Sequence, residues 1–184
     1  MTARDEGEPL AAGDTFTLPP DGEHEPKEIA GRLVGDLEEF RDLRHGDAVI
    51  LFLMRTDPKV KAQRAILGEM CLSRFQGTLA PLASWLLAKV CGEVPDFIML
   101  LDAQWWEQAP PIAREALVYH ELLHATIKRD REGEPRFTDE GLPVWDLVGH
   151  DVEEFDAVVR RYGAWQPHIA AFLRAALDHD APGR

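Results

Sequence analysis

One pentapeptide constrains the fold of this chain more than any other segment, namely His120-Glu121-Leu122-Leu123-His124. On an α-helix, residues four positions apart share a face, so both imidazoles can reach one common point. Glu121 places a carboxylate beside that point. Two imidazole nitrogens and a carboxylate base are most of what metal-assisted hydrolysis requires. The motif therefore predicts a helix here, and the alternative is an ordinary amphipathic helix with two solvated histidines.

The segments around the motif predict an α+β domain. Two short apolar runs, 48–54 and 96–102, have the β-branched and aromatic content of buried strands. Pro110 and Pro111 suit the first turn of a helix, and the apolar spacing then predicts a helix over 112–128 that carries the motif. Similar spacing predicts further helices over 28–43, 151–161 and 165–177, whereas 64–72 and 79–90 favour a strand and a helix only weakly.

The first 27 residues differ in composition from the rest of the chain. They hold seven acidic residues, two basic residues and four prolines. A segment with so little apolar surface does not offset the entropy lost on ordering it. We therefore expect a flexible acidic leader over 1–27 and a single domain over 28–180.

The net charge of −13 bears on the partners of the chain. Binding to nucleic-acid phosphates requires patches of Lys and Arg, so we expect no nucleic-acid partner. The apolar runs are too short to cross a bilayer, and the acidic N-terminus lacks the apolar core of a secretion signal. We expect a cytoplasmic protein without membrane association, and the sequence carries no signal of its oligomeric state.

Two histidines do not complete a catalytic zinc site, which usually has three protein ligands and a water. The segment 149–155 offers a third ligand. His150 directly precedes a predicted helix, and Glu153 and Glu154 follow it by three and four positions, so they can share its face. The residues alone leave three alternatives open: His150 is the ligand, or one of the two glutamates is, or none of them is.

The order of these segments resembles that of a known family. A strand over 96–102, a tryptophan-rich turn, the motif helix, an acidic loop and the segment 149–155 are similar to the putative phage metallopeptidases, a zincin-like family of phages and prophages. The order is similar, more distantly, to that of SprT-type metallopeptidases. The resemblance covers roughly residues 45–165. It implies a zincin-like α+β fold, with a small mixed sheet packed on the active-site helix and further C-terminal helices.

The resemblance also implies roles for four residues. His120, His124 and His150 would bind Zn²⁺, and Glu121 would be the catalytic base. The implied reaction is hydrolysis of a peptide or protein substrate by a metal-activated water whose proton Glu121 accepts. In related zincins the substrate pairs with an edge strand beside the motif helix, and residues 96–102 are the implied edge strand.

A second class of function fits the same histidines, namely a non-catalytic zinc-binding interaction module of phage or prophage origin. A closed structural site would take a fourth protein ligand, which Asp151 or Glu154 could supply. Glu121 argues for an enzyme, because a structural site needs no carboxylate beside its first histidine. A metal-dependent amidase would use the same residues. Four side chains are available by type to stabilise an oxyanion, and the sequence selects none of them: Tyr119, Arg136, Tyr162 and His168.

Overall fold

The structure, a computed structural model, describes residues 15–61, 63–150, 152, 159–160, 163–164 and 167–179. By its internal contacts the chain divides into two units, Met1–Val148 and Gly149–Arg184. A single domain over 28–180 stays a prediction. The described elements are β1 (Phe16–Thr17), α1 (Pro26–Asp36), α2 (Arg41–His45), β2 (Ile50–Arg55), β3 (Lys59–Lys61), β4 (Arg64–Ile66), β5 (Gly68–Leu72), α3 (Ala80–Cys91), β6 (Phe97–Asp102), α4 (Ala103–Gln108), α5 (Pro111–His124), β7 (Ala125–Ile127), β8 (Trp145–Leu147) and α6 (Pro167–His179).

A four-stranded mixed sheet lies in the first unit, with the strand order β1-β2-β6-β5. β2 and β6 are parallel, whereas β1 and β5 run antiparallel to their neighbours. The α+β class predicted from the sequence is confirmed. The implied edge strand, 96–102, was wrong, because residues 97–102 form β6 in the interior of the sheet and the edge beside it is β5.

One face of the sheet packs on the motif helix. Phe97, Met99 and Leu101 of β6 are fully buried, whereas the residues between them are half-buried. This alternation is that of a strand with one face in the core. The buried residues of β6 share one apolar cluster with Leu33 of α1 and Leu122 of α5, which fixes the motif helix against the sheet.

The first helix is shorter than its apolar spacing predicts. It ends at Asp36, because Leu37 takes an extended conformation with φ −101° and ψ 136°. A 3₁₀ turn (Glu38–Phe40) and α2 follow. The Arg44 guanidinium donates to backbone carbonyls at the end of α1, which satisfies groups that the broken helix leaves open. Phe40 stays buried beyond the break, so the spacing alone did not reveal it.

The described part of the predicted leader makes specific contacts. β1 pairs with β2, with Phe16 opposite Arg55. The Glu25 carboxylate accepts hydrogen bonds from Trp106 Nε1 at 3.0 Å and from the Arg114 guanidinium at 3.3 Å. Composition missed these contacts because each depends on one or two residues and not on an apolar stretch. Residues 1–14 lie outside the described residues, and for them the flexible leader stays a prediction.

The motif helix also ends earlier than predicted. α5 ends at His124, and the chain passes straight into β7, since Ala125 has φ −86° and ψ 125°. β7 pairs antiparallel with β8, with Ala125 opposite Leu147. Ile127 is buried in β7 at a position that also fits the helical spacing, so the period did not mark the change. The β7–β8 hairpin, which includes the predicted acidic loop, brings the chain back to Val148.

The segment 60–92, whose sequence pattern was ambiguous, holds three strands and one helix. β3 and β4 form a hairpin, β5 joins the main sheet, and α3 lies close to the weakly predicted helix over 79–90. None of the helices in the described residues is both long and apolar enough to cross a membrane.

The two central leucines of the pentapeptide should differ sharply in their effect on stability. Leu122 is 0% exposed and Leu123 is 46% exposed. Leu122→Ala should lower the free energy of unfolding by about 2–5 kcal/mol, because it leaves a cavity in the core. Leu123→Ala should cost less than about 1 kcal/mol. Denaturant unfolding of the metal-free protein measures both, and equal losses would contradict the packing of α5 on the sheet.

Candidate metal centre

Three histidines that the sequence singled out lie together. His120 and His124 are one turn apart on α5, with ring centroids 5.2 Å apart. His120, His124 and His150 each offer a ring nitrogen, and these atoms lie within 4.8 Å of one another. Two ligands of a tetrahedral zinc are about 3.4 Å apart, so small rotations of the rings would bring the three nitrogens onto one ion. The donor set therefore fits a metal ion.

The backbone of Val148 anchors the chain beside His124. The Val148 N–H donates to the His124 carbonyl at 2.9 Å, and His124 Nδ1 lies 2.7 Å from the Val148 carbonyl oxygen. A carbonyl only accepts, so Nδ1 carries a proton, and the neutral form of this ring has its lone pair on Nε2. Such a bond fixes the orientation of a metal-binding imidazole. His150 follows two residues later, which explains how the hairpin delivers it.

The Glu121 carboxylate lies beside the histidines in a buried position. The residue is 3% exposed, and the backbone N–H of Met70 donates to its carboxylate. Burial raises the pKa of Glu121 to about 7, although the charge of His124 and the Met70 hydrogen bond act in the opposite direction. A carboxyl group with a pKa near neutral can both accept and release a proton at that pH.

Strand β5 passes directly against this carboxylate. A Cβ atom at Gly68 would lie 2.5 Å from Glu121 Oε1, so the absence of a side chain leaves room for the carboxylate. Sequence reasoning missed both Gly68 and Met70 as parts of the site. A glycine at the start of a strand can indicate the close approach of another group. This signal was not usable for Gly68, because residues 64–72 were only weakly predicted as a strand.

Three of the oxyanion candidates from the sequence lie within the described residues. The Tyr119 hydroxyl donates to Glu39 Oε1 at 2.8 Å, which commits its proton. Arg136 is exposed in the β7–β8 connection, and His168 is exposed on α6. The alternative ligands and the remaining oxyanion candidate lie outside the described residues: Asp151, Glu153, Glu154 and Tyr162.

Comparison with known proteins adds one match. A model of the family described as Putative phage metallopeptidase matches residues 22–176, which is most of the chain and includes the positions of the four predicted site residues. No curated protein and no solved structure matches. The more distant similarity to SprT-type metallopeptidases stays a prediction.

Proposed function

The chain belongs to the Putative phage metallopeptidase family, and on that premise we propose that it is a zinc-dependent peptidase with a zincin-like site. His120, His124 and His150 bind the metal, and Glu121 is the general base. The observation that carries the proposal is a cluster of three imidazoles, with the buried carboxyl group of Glu121 next in the chain to one of them. A site that only stabilised the fold would have no use for that carboxyl group.

The donor set favours zinc among the metals that peptidases use. Imidazole nitrogens suit zinc, whereas calcium and magnesium take oxygen ligands. Three protein ligands also leave a fourth coordination position open, as in catalytic zinc sites. When bound, zinc would polarise the scissile carbonyl and lower the pKa of a water molecule.

The residues of the chain then supply the proton transfers. The Glu121 carboxylate accepts a proton from the attacking water and passes it to the leaving amine. The Val148 carbonyl keeps His124 in the tautomer whose Nε2 carries the lone pair.

We propose that the peptide substrate pairs with the edge strand β5. The Leu67 carbonyl accepts from the Asp102 N–H at 2.8 Å, and the Ser73 N–H donates to the Asp96 carbonyl at 2.9 Å, so these groups of the β5 segment point towards β6. Antiparallel pairing alternates, so every second residue between them points its backbone groups to the outer edge. An extended peptide can add to such an edge, here beside Glu121. The outward residues are Gly68, Met70 and Leu72. The Met70 N–H already donates to Glu121, so Gly68 and Leu72 supply the donors for the peptide.

Metal removal tests the proposal directly. Zinc-loaded protein should cleave members of a broad peptide library, chelator-treated protein should cleave none, and added zinc should restore cleavage, because zinc is the group proposed to polarise the carbonyl. Mass spectrometry of the library detects the products. Stoichiometric zinc without any cleavage would favour the interaction module instead. The cytoplasmic location and the lack of a nucleic-acid partner stay predictions.

A further inference from the structure

The Glu121 side chain lies so close to Gly68 of β5 that no side chain would fit at this position. A Cβ at this position would lie 2.5 Å from Oε1 of Glu121 and 2.9 Å from its Cδ and Cγ atoms. Non-bonded carbon and oxygen atoms do not approach so closely in packed proteins. A side chain at residue 68 and the observed position of Glu121 therefore exclude each other.

The backbone at Gly68 does not require glycine. The residue opens an extended strand and is paired with Leu101 of β6. Glycine in a strand carries an entropic cost and contributes no side-chain packing. Space for Glu121 thus explains the glycine, whereas backbone conformation does not.

A hydrogen bond and burial hold the Glu121 carboxylate in its observed position. Its carboxylate accepts from the Met70 N–H, two residues along β5, and the residue is 3% exposed. A Cβ at Gly68 would push the carboxylate away from that donor and into a packed surrounding. Displacement by about 1 Å is enough to lower the rate of a positioned reaction by about a hundredfold.

We infer that Gly68 is a positioning residue for the Glu121 carboxylate, which it admits to the backbone of β5. The inference rests on the proposed role of Glu121 as general base. By this inference, Gly68 of the edge strand contributes to catalysis. It acts through Glu121 and does not contact the metal.

Gly68→Ala tests the inference, and Gly31→Ala is the control. A Cβ at Gly31, which is exposed on α1, would meet no atom within 4 Å. With zinc bound at wild-type stoichiometry, Gly68→Ala should lower kcat about a hundredfold and change KM less than about threefold. Gly31→Ala should keep the wild-type kcat. Wild-type kcat in Gly68→Ala, an equal loss in the control, or a rise in KM alone would overturn the inference.

A double-mutant cycle measured by thermal unfolding tests the contact between Gly68 and Glu121 without an activity assay. In the metal-free protein, Gly68→Ala should lower Tm by about 5 °C, because it overpacks the site. In a Glu121→Ala background the same change should lower Tm by less than about 1 °C. Equal losses in both backgrounds would overturn the inference. If the wild-type protein cleaves nothing but the cycle shows this coupling, the proposed peptidase function fails while the positioning of Glu121 by Gly68 stands.

Discussion

Glu121→Gln is expected to abolish peptide hydrolysis while the protein still binds its metal. Glutamine has nearly the same shape as glutamate, but its amide does not accept and return a proton. General-base catalysis contributes about 10²- to 10⁴-fold, so kcat/KM should fall by at least that factor. The three histidine nitrogens are untouched, so metal content, measured by elemental analysis of the purified variant, should equal that of the wild type.

The matched control for this variant lies on the same helix. The Glu115 carboxylate of α5 forms an ion pair with Arg32 at 2.8 Å at the surface, and it has no proposed role in catalysis. Glu115→Gln should keep wild-type kcat/KM, since an exposed ion pair contributes little to stability. Hydrolysis by Glu121→Gln at the wild-type rate would show that another group is the base. Loss of metal from the Glu121→Gln variant would show that Glu121 is a metal ligand and not only a base.

His150→Ala is expected to weaken zinc binding more than about a hundredfold. Loss of a group that only orients a ligand costs about ten- to a hundredfold, and loss of a ligand itself should exceed that range. Glu154→Ala should weaken binding less than about tenfold, as for a residue outside the ligand set. Competition against a chromogenic chelator measures both affinities.

The same titration needs a histidine outside the site as its control. His45, exposed at the end of α2, serves this purpose, and His45→Ala should bind zinc as the wild type does. A larger loss in Glu154→Ala than in His150→Ala would move this site to the class with a glutamate as third ligand. Wild-type affinity in both variants would leave the third ligand elsewhere in the chain.

The sequence predicted those parts of the site that depend on local geometry. The helical spacing of His120 and His124 needs no tertiary information, and the buried strands β2 and β6 follow from short apolar runs. The end of α5 was missed because Ile127 fits both the helical period and its true place in β7. A residue that serves two patterns equally well carries no information about which one is formed.

The contacts of Glu121 with β5 were beyond sequence reasoning for a different reason. Gly68 and Met70 lie more than 50 positions before Glu121. Their approach depends on β5 pairing at the edge of the sheet and on α5 packing beneath it, and neither arrangement has a local signal. The resemblance to a family pointed to an edge strand but to the wrong segment, since β6 is the more apolar strand and apolar strands lie inside sheets.

The β7–β8 hairpin has a consequence for how related chains should be recognised. Val148 is held opposite His124 by strand pairing, so the 26 positions between His124 and His150 are not themselves a requirement. Gly133 and Gly141 lie in turns and have positive φ. Insertions at these turns would lengthen the connection between β7 and β8 without moving its two ends. A search pattern with a fixed interval between the histidines would therefore miss homologues that a pattern based on the hairpin's first and last residues would find.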